Sequence, residues 1–416
     1  MKIAIVGAGV SGLVAARALH AHYEITLFEA GSRLGGHVHT WELSAGDRTW
    51  TVDSGFIVYN ERNYPRFSRL LRELGVATQS SEMSFSVRHD GDDLEYNGSS
   101  FRQLFAQRRN SLRPAFLRML ADVVRFNRAA PHLLSDGHEG ETLADVLDRG
   151  SYSAAFRDWY LLPMGSAIWS IPFAGVLEMP AAFFVAFFLN HGMLTIDDRP
   201  QWRVIQGGSR NYVNALIAPF EDRVRAEQPV RRIRRAPNHV EVDGSRFDRV
   251  VIACHSDEAL ALLVDPTPEE HALLAAIPYQ SNSATIHTDT SILPARRSAW
   301  GAWNYRVTPS ETDAAVVTYN MNILQSLDAP ETFCVTLNGE QAIDPAHIRG
   351  RSIYAHPVFT TAGIAARRQR DRISGPNRTH YAGAYWGNGF HEDGVVSGER
   401  AAQEVMAAAA ASGDRA

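Results

Sequence analysis

The sequence predicts an α/β fold that opens with a strand, a glycine-rich turn, a helix and a second strand. Residues 3–6 and 24–29 are short apolar runs separated by a helical stretch, which is the pattern of a βαβ unit in a parallel sheet. The turn carries G-x-G-x-x-G at Gly7, Gly9 and Gly12. These observations predict a Rossmann-type nucleotide-binding unit at the start of the chain.

Each residue of this unit has a physical task. Gly7 permits the tight turn, Gly9 lets the backbone approach a pyrophosphate, and Gly12 lets helix and strand pack closely. Ser11 lies at the helix start, where free N–H groups and the positive end of the helix dipole attract phosphate. Glu29 ends the second strand, and its carboxylate can accept hydrogen bonds from ribose hydroxyls.

Length and composition limit the domain number and the classes of partner that can be expected. The chain has 416 residues, enough for two domains, and its net charge of -5 gives no reason to expect nucleic acid as a partner. Cys254 and Cys334 are its only cysteines, so neither a disulfide framework nor a thiolate metal site is expected, and no metal is predicted. The first strand begins at Lys2, which leaves no room for a signal peptide and favours a cytoplasmic protein.

The segment after the ribose carboxylate resembles a known family. It carries Glu29, Ala30, Arg33, Gly35, Gly36 and His37. This run is similar to the E-A-x-x-R-x-G-G element of the FAD-dependent amine oxidase and phytoene desaturase superfamily. The resemblance implies that the segment runs under the pyrophosphate and ribityl chain of FAD, so the expected cofactor is FAD and not NAD. His37 departs from the pattern, because many relatives carry arginine there.

Further motifs extend the resemblance along the chain. Asp53, Ser54, Gly55 and Phe56 match an element that approaches the flavin ring in relatives. Residues 202–213 resemble a strand that meets a glycine pair and returns to the FAD domain. The backbone at Val230 is expected to hold adenine.

The closing motif spans residues 380–398. By resemblance, Gly383 and Ala384 meet the pyrophosphate, and Gly394, Val395 and Val396 lie at the flavin pyrimidine edge, where a helix N-terminus favours the reduced, anionic flavin.

The resemblance implies a discontinuous organisation. Residues 1–80, 202–265 and 375–416 are expected to form a Rossmann-type FAD-binding domain of the glutathione reductase 2 type. Residues 81–201 and 266–374 are expected to form an α+β substrate domain. Within the latter, a strand at 84–87 and a return strand at 94–96 are predicted, and the strands predicted at 284–288, 315–319 and 332–337 suit an antiparallel sheet. The sequence also predicts a helix at 65–74, with Asn60 as a cap.

Two segments point to the substrate. Residues 181–189 are apolar with two phenylalanine pairs. The run is too short to span a bilayer. It fits a buried core helix, the wall of a tunnel for an apolar ligand, or contact with a membrane at the mouth of that tunnel. Residues 100–128 are predicted to be mostly helical and carry seven arginines. This stretch fits a solvated face, an acidic head group of a substrate, or peripheral contact with an anionic membrane at its inner face.

Three functional classes remain open from the sequence. The whole chain looks most like bacterial FAD-binding proteins linked to cyclopropane or methylated fatty acid metabolism, including a flavin-dependent desaturase of methylated unsaturated acyl chains. This implies an oxidoreductase that acts on a lipid or acyl chain. Desaturation or isomerisation of a carotenoid or another polyisoprenoid is a related alternative. Amine oxidation is the alternative, although Lys2 is the only lysine and relatives of that kind commonly place one near flavin N5. The aromatic pair Tyr385 and Trp386 could still flank the flavin. A flavoprotein without catalysis is the third class.

A desaturase needs a base that reaches the substrate carbon. The candidates are His391, Glu392 and Tyr59, in that order. The sequence gives no oligomeric state.

Overall fold

A computed structural model gives the structure, which describes residues 1–135, 140–195, 199–308 and 316–412. The strands are β1 (Lys2–Val6), β2 (Glu24–Phe28), β3 (Thr40–Ala45), β4 (Arg48–Asp53), β5 (Val58–Asn60), β6 (Thr78–Ser81), β7 (Phe85–His89), β8 (Leu94–Asn97), β9 (Trp202–Ile205), β10 (Val224–Arg225), β11 (Ile233–Ala236), β12 (His239–Val242), β13 (Ser245–Phe247), β14 (Arg249–Ile252), β15 (Tyr279–His287), β16 (Trp303–Val307), β17 (Val317–Asn320), β18 (Cys334–Leu337), β19 (Ile348–Pro357) and β20 (Thr379–Tyr381).

The helices are α1 (Val10–Leu19), α2 (Pro65–Glu73), α3 (Phe101–Leu104), α4 (Pro114–Ala129), α5 (Leu143–Arg149), α6 (Ala154–Phe156), α7 (Leu162–Trp169), α8 (Phe173–Leu177), α9 (Ala181–Asn190), α10 (Arg210–Ile217), α11 (Ser256–Leu262), α12 (Pro268–Ala275), α13 (Met321–Leu324), α14 (Thr361–Arg367) and α15 (His391–Ser412).

The predicted α/β fold is confirmed by a five-stranded sheet in the order β10-β2-β1-β14-β20. All four neighbouring pairs run parallel, and β1 is buried because helices cover it. Its strands come from the three segments predicted for nucleotide binding. Helix α15 packs along α1, and Gly398 allows this, since a Cβ there would lie 2.4 Å from the Ser11 carbonyl oxygen.

A seven-stranded sheet in the order β19-β15-β18-β17-β16-β7-β8 forms the second layer. Its strands come from the segments predicted for the substrate domain, whose boundaries stay predictions. The antiparallel sheet predicted for the strands of residues 266–369 is confirmed, since β15, β17 and β18 pair antiparallel. The hairpin of the preceding segment joins the same sheet through β7, which pairs parallel with β16. The strand predicted at 315–319 is found at Val317–Asn320, and residue 315 lies outside the described residues.

The stretch predicted to be mostly helical, residues 100–128, is helical in the structure, but it is divided into three shorter segments. Ser100 caps α3, a 3-10 turn spans Arg108–Leu112, and α4 begins at Pro114. Proline lacks an N–H and pushes the residue before it out of the helical region. Together with α5 to α9, these helices pack around an apolar core that contains Phe116, Phe126 and much of α9.

The helix predicted at 65–74 is present as α2, but Asn60 is not its cap. The Asn60 side chain instead accepts a hydrogen bond from the Asn63 N–H at 2.9 Å. In the part of the chain that the structure describes, no helix is both long and apolar enough to cross a membrane.

Candidate active site

A cavity of about 1050 Å³ lies at the carboxyl edge of the parallel sheet. Its wall includes Gly7 after β1, Glu29 after β2, Cys254 after β14 and Gly383 after β20. Ligands of open parallel sheets bind at this edge, because the loops that follow the strands meet there. From this end the cavity continues between α7, the helical turn before it, α9 and the seven-stranded sheet.

The glycine turn has the shape that a pyrophosphate requires. A Cβ on Gly9 would meet no atom within 4 Å, whereas one on Gly12 would lie 1.9 Å from the Gly7 carbonyl oxygen. Gly9 therefore faces open cavity space at the N-terminus of α1, and Gly12 serves close packing. Gly7, with φ +103°, takes a conformation that residues with a Cβ rarely adopt.

The segment that follows β2 is held rigidly beside this turn. The Glu29 carboxylate accepts hydrogen bonds from the N–H groups of Ala8 and Gly31, both at 2.8 Å. Arg33 donates to the carbonyl oxygens of Gly36 and Val38. The guanidinium thus braces the loop. Ala30, Gly35 and Gly36 line the cavity with it, as do Ser11 and Val230 at the nucleotide end.

His37 occupies the position where relatives carry arginine. Its ring stacks on Tyr354 at a centroid distance of 5.2 Å and lies 5.4 Å from His356 and 5.8 Å from His255. Burial first, and then these neighbouring imidazoles, hold the pKa of His37 well below its usual value. The neutral ring keeps a buried Nε2 that has no hydrogen-bond partner among the described residues.

These features fit FAD. The open space at Gly9, the helix N-terminus of α1 and the acidic side chain after β2 suit a dinucleotide. The buried Nε2 of His37, with no partner, suits a polar group of the same ligand. The Tyr385 hydroxyl is buried without a partner in the described part of the chain, and its side chain lines the cavity together with Gly383 and Ala384.

Asp53 lies behind the cavity wall. Its buried carboxylate accepts hydrogen bonds from the Thr40 hydroxyl, from the N–H and hydroxyl of Ser209, and from the Gln325 amide. Burial raises the pKa of Asp53 to about 6 despite these donors. The side chain joins β4 to the start of α10 and to α13. The residues that follow it, Ser54, Gly55 and Phe56, do line the cavity.

His391 is the one base candidate on the cavity wall. Its ring stacks on Phe56 with a centroid distance of 3.5 Å, and its Nε2 lies 2.9 Å from the Tyr212 hydroxyl. Burial lowers the pKa of His391 to about 3, so the imidazole is neutral at physiological pH.

The other two base candidates lie elsewhere. Glu392 accepts hydrogen bonds from the N–H groups of Arg66 and Phe67, at 3.0 and 2.9 Å. It therefore fills the role expected of Asn60, because it satisfies the free N–H groups at the start of α2. Tyr59 is buried in the core of the nucleotide-binding part, with its ring edge-on to Phe67 at 5.4 Å.

Three residues of the closing motif also lie off the cavity wall. Gly394, Val395 and Val396 belong to the second turn of α15. A Cβ on Gly394 would meet Val10 at 2.4 Å, so this glycine lets α15 pack on α1. Val395 is buried in the same core. Trp386 also stays off the wall, whereas Tyr385 lines it.

The apolar wall of the cavity was not predicted from the sequence. Tyr160, Met164 and Ile168 lie along one side of it, at the i, i+4, i+8 spacing of a helix face. Tyr160 belongs to a π-helical turn, Arg157–Leu161, between α6 and α7, a feature frequent at functional sites. The i, i+4, i+8 spacing of these three residues is the sequence pattern that could have indicated this wall. Phe187 of α9 also lines the cavity, so α9 is mainly core and partly wall.

Charged side chains are few on this wall. Among the described lining residues, Glu29, Arg33 and Glu258 belong to the nucleotide end, and Arg199 stands among the apolar residues. Arg199 and Pro200 also line a smaller adjoining cavity of about 250 Å³. Within the described residues, no cluster of side chains could hold a metal ion.

Comparison with known proteins places this site in a family. Residues 10–297 match the family of flavin-containing amine oxidoreductases. The L-amino acid dehydrogenase of Synechocystis sp. is 25% identical over 257 residues, which make up 57% of this chain and 51% of that protein. The chain thus spans about half the length of the curated relatives that it matches over more than half of its own length.

Solved structures share the fold. Cyclohexylamine oxidase from Brevibacterium oxydans superposes with a TM-score of 0.68 at 17% identity, over 98% of both chains. A CLA-producing fatty acid isomerase from P. acnes superposes with a TM-score of 0.67 at 15% identity, over 97% of this chain and 98% of that one. Since the family match covers well over half of the sequence, the chain belongs to the flavin-containing amine oxidoreductases, a family of FAD-dependent oxidoreductases, and its cofactor is FAD.

Proposed function

We propose that the protein oxidises a long apolar acyl chain, and that its reaction is the desaturation of methylated unsaturated fatty acyl groups. The observation that carries this proposal is the wall of the cavity beyond the nucleotide end. Apolar and aromatic side chains, including Met164, Ile168, Trp169 and Phe187, form most of it, and Arg199 is the permanently charged side chain among the described residues there. Such a wall favours a hydrocarbon chain, because apolar contact with it removes both surfaces from water.

The residues of this chain would bind, orient and shield the substrate. When bound, FAD would accept a hydride from the substrate carbon. The helix face of Tyr160, Met164 and Ile168 would hold the acyl chain along the cavity and exclude water from it. The apolar wall thereby restricts which carbon can lie near the cofactor, and this positioning accounts for part of the rate.

His391 is the proposed base. If its Nε2–H is donated to the Tyr212 hydroxyl, Nδ1 is left free to accept a proton from the substrate. The lowered pKa keeps the ring unprotonated but also makes it a weaker base than an ordinary histidine, so the position of His391 on the cavity wall is what supports this role. Substitution of His391→Asn should then slow anaerobic flavin reduction by about 100-fold, with an unchanged spectrum of the oxidised flavin. An unchanged rate would exclude His391 as the base.

Amine or amino-acid oxidation is the second candidate, and the names of the relatives favour it. Two observations weigh against it. The apolar part of the described wall has no carboxylate to pair with an ammonium group, and Lys2, the sole lysine, lies in β1. The fold is compatible with acyl chemistry, since a solved neighbour is named a fatty acid isomerase. A polyisoprenoid chain would suit the same wall and is distinguished by product analysis.

A lipid profile tests the proposal in cells. Total acyl chains would be measured by mass spectrometry with the protein expressed, deleted, and expressed as Gly9→Val, which blocks the cofactor site. We expect an acyl species with two hydrogens fewer only in the first sample. An unchanged profile, together with no acyl-dependent loss of flavin colour in the purified protein, would refute it.

A further inference from the structure

The surface formed by residues 101–129 exposes large apolar side chains beside the cavity. Phe101 is 81% exposed, Leu112 84%, Leu117 46% and Val124 41%. Phe101 and Leu112 are the two most exposed large hydrophobic residues in the described part of the chain. Contiguous apolar surface of this kind marks an interaction site more often than scattered single residues do. We call this surface the 101–129 face.

Ring contacts place Phe101 near the start of α4, the helix that directly follows Leu112 and Arg113. The Phe101 ring is 5.0 Å from Phe105, whose ring is 5.9 Å from Phe116 in the first turn of α4. Leu112 ends the 3-10 turn just before α4. Leu117 and Val124, seven residues apart, continue the exposed side along that helix.

The same face is strongly basic in a chain with a net charge of -5. It carries seven arginines, at positions 102, 108, 109, 113, 118, 125 and 128. Its one acidic residue, Asp122, is buried and pairs with Arg118 and Arg125. Arg109 pairs with Asp93 of the neighbouring β7–β8 turn. Arg102 and Arg108 are exposed and form no ion pair with another described residue. The surplus charge therefore faces solvent.

The face adjoins the rim of the cavity. Gly98 and Ser99 line the cavity and are themselves exposed. Phe101 follows two residues later. A ligand held against the 101–129 face would thus reach the cavity without crossing open water.

We propose that the 101–129 face docks on an anionic lipid bilayer and admits acyl chains from it into the cavity. Aromatic and aliphatic side chains insert at the boundary of head groups and acyl chains, and arginines bind anionic head groups. A second copy of this chain fits less well, because two such basic faces would repel each other. The route of the substrate rests on the proposed function, whereas docking itself does not.

Vesicle binding of the full-length, FAD-loaded protein tests docking without any substrate turnover. Vesicles of phosphatidylcholine would be compared with vesicles that also contain phosphatidylglycerol, by flotation at low and physiological salt. We expect binding to the anionic vesicles that weakens with salt. The double variant Arg102→Gln/Arg108→Gln should lower the partition coefficient by about 30-fold, and Phe101→Ser/Leu112→Ser by about tenfold or more.

The matched control is Arg234→Gln/Arg246→Gln, which removes two exposed arginines from the β11–β13 ribbon and should bind vesicles as the wild type does. Circular dichroism and FAD content would show that each variant is folded. Equal binding to neutral vesicles, no binding at all, or equal loss in the control would overturn the proposal. The proposal would also be overturned if light scattering showed that the wild type is a dimer and that the Phe101→Ser/Leu112→Ser variant is a monomer. Turnover of detergent-dispersed lipid is measured separately, because it does not require docking on a vesicle. Turnover without vesicle binding would refute docking alone, and vesicle binding without turnover would refute the acyl proposal alone.

Discussion

Substitution of Gly9→Ala should separate cofactor binding from folding. Gly9 has φ -71° and ψ 175°, a conformation open to any residue, and an added Cβ would meet no atom within 4 Å. The apoprotein should therefore keep its free energy of unfolding within about 0.5 kcal/mol. The methyl group would occupy the space through which a pyrophosphate approaches the N-terminus of α1. Loss of two charge-assisted hydrogen bonds costs about 3 to 6 kcal/mol, which weakens FAD binding by more than about 100-fold.

The assay combines fluorescence titration of the apoprotein with FAD and urea unfolding of the same samples. Gly12→Ala is the matched control, since its Cβ would collide with the Gly7 carbonyl oxygen at 1.9 Å. This variant should lose about 3 kcal/mol of stability. A Gly9→Ala protein that binds FAD normally would refute the assignment of this turn to the pyrophosphate. So would a Gly9→Ala protein that is as unstable as Gly12→Ala.

Three further changes probe residues around the site. Asp53→Ala should lower the free energy of unfolding by about 3 to 5 kcal/mol in urea titrations, because four donors lose a buried acceptor; a fully stable variant with lost FAD affinity would instead make Asp53 a direct ligand. Glu392→Ala should lower stability by about 1 kcal/mol through loss of the α2 N–H partners, with the flavin reduction rate unchanged; a large rate loss at normal stability would restore it as a base. The pKa of His391 falls from 6.5 to about 3 on folding, so below pH 6.5 the unfolded chain binds a proton that the folded chain does not, and apoprotein stability should fall between pH 6.5 and 3. His39, His287 and His356 also have lowered pKa values, so His391→Asn should reduce that slope in part, in unfolding curves recorded across the range. An unaltered slope would contradict the burial of the ring.

The nucleotide-binding part was predictable because its local sequence patterns specify the same structure that the whole fold adopts there. Alternating strand and helix patterns and the glycine spacing specify both the parallel sheet and its binding edge. Fifteen of the residues predicted for cofactor binding, from Gly7 to Ala384, line the cavity, and many of them were predicted from motifs that resemble the family. The roles of Asp53 and Glu392 needed tertiary information. Their carboxylates reach partners far away in sequence, at Ser209 and Phe67, which no local pattern reveals.

The substrate end was harder to predict because its wall is assembled from several elements. The face of Tyr160, Met164 and Ile168 becomes a cavity wall only where the seven-stranded sheet lies opposite it. The break of the 100–128 segment at Pro114 could have been read from the residue itself. Phe101 and Leu112, which precede this proline, are exposed, and the arginine-rich pattern did not predict their exposure.

The measurement closest to the central claim is anaerobic reduction of the FAD-loaded protein by defined substrates. Methylated and unmethylated unsaturated acyl lipids, primary amines and L-amino acids would each be mixed with the protein while the flavin absorbance is followed, and the products analysed by mass spectrometry. We predict loss of the flavin band with the methylated acyl lipid and a product that lacks two hydrogens. Reduction by an amine or amino acid, with none by any acyl lipid, would contradict the account.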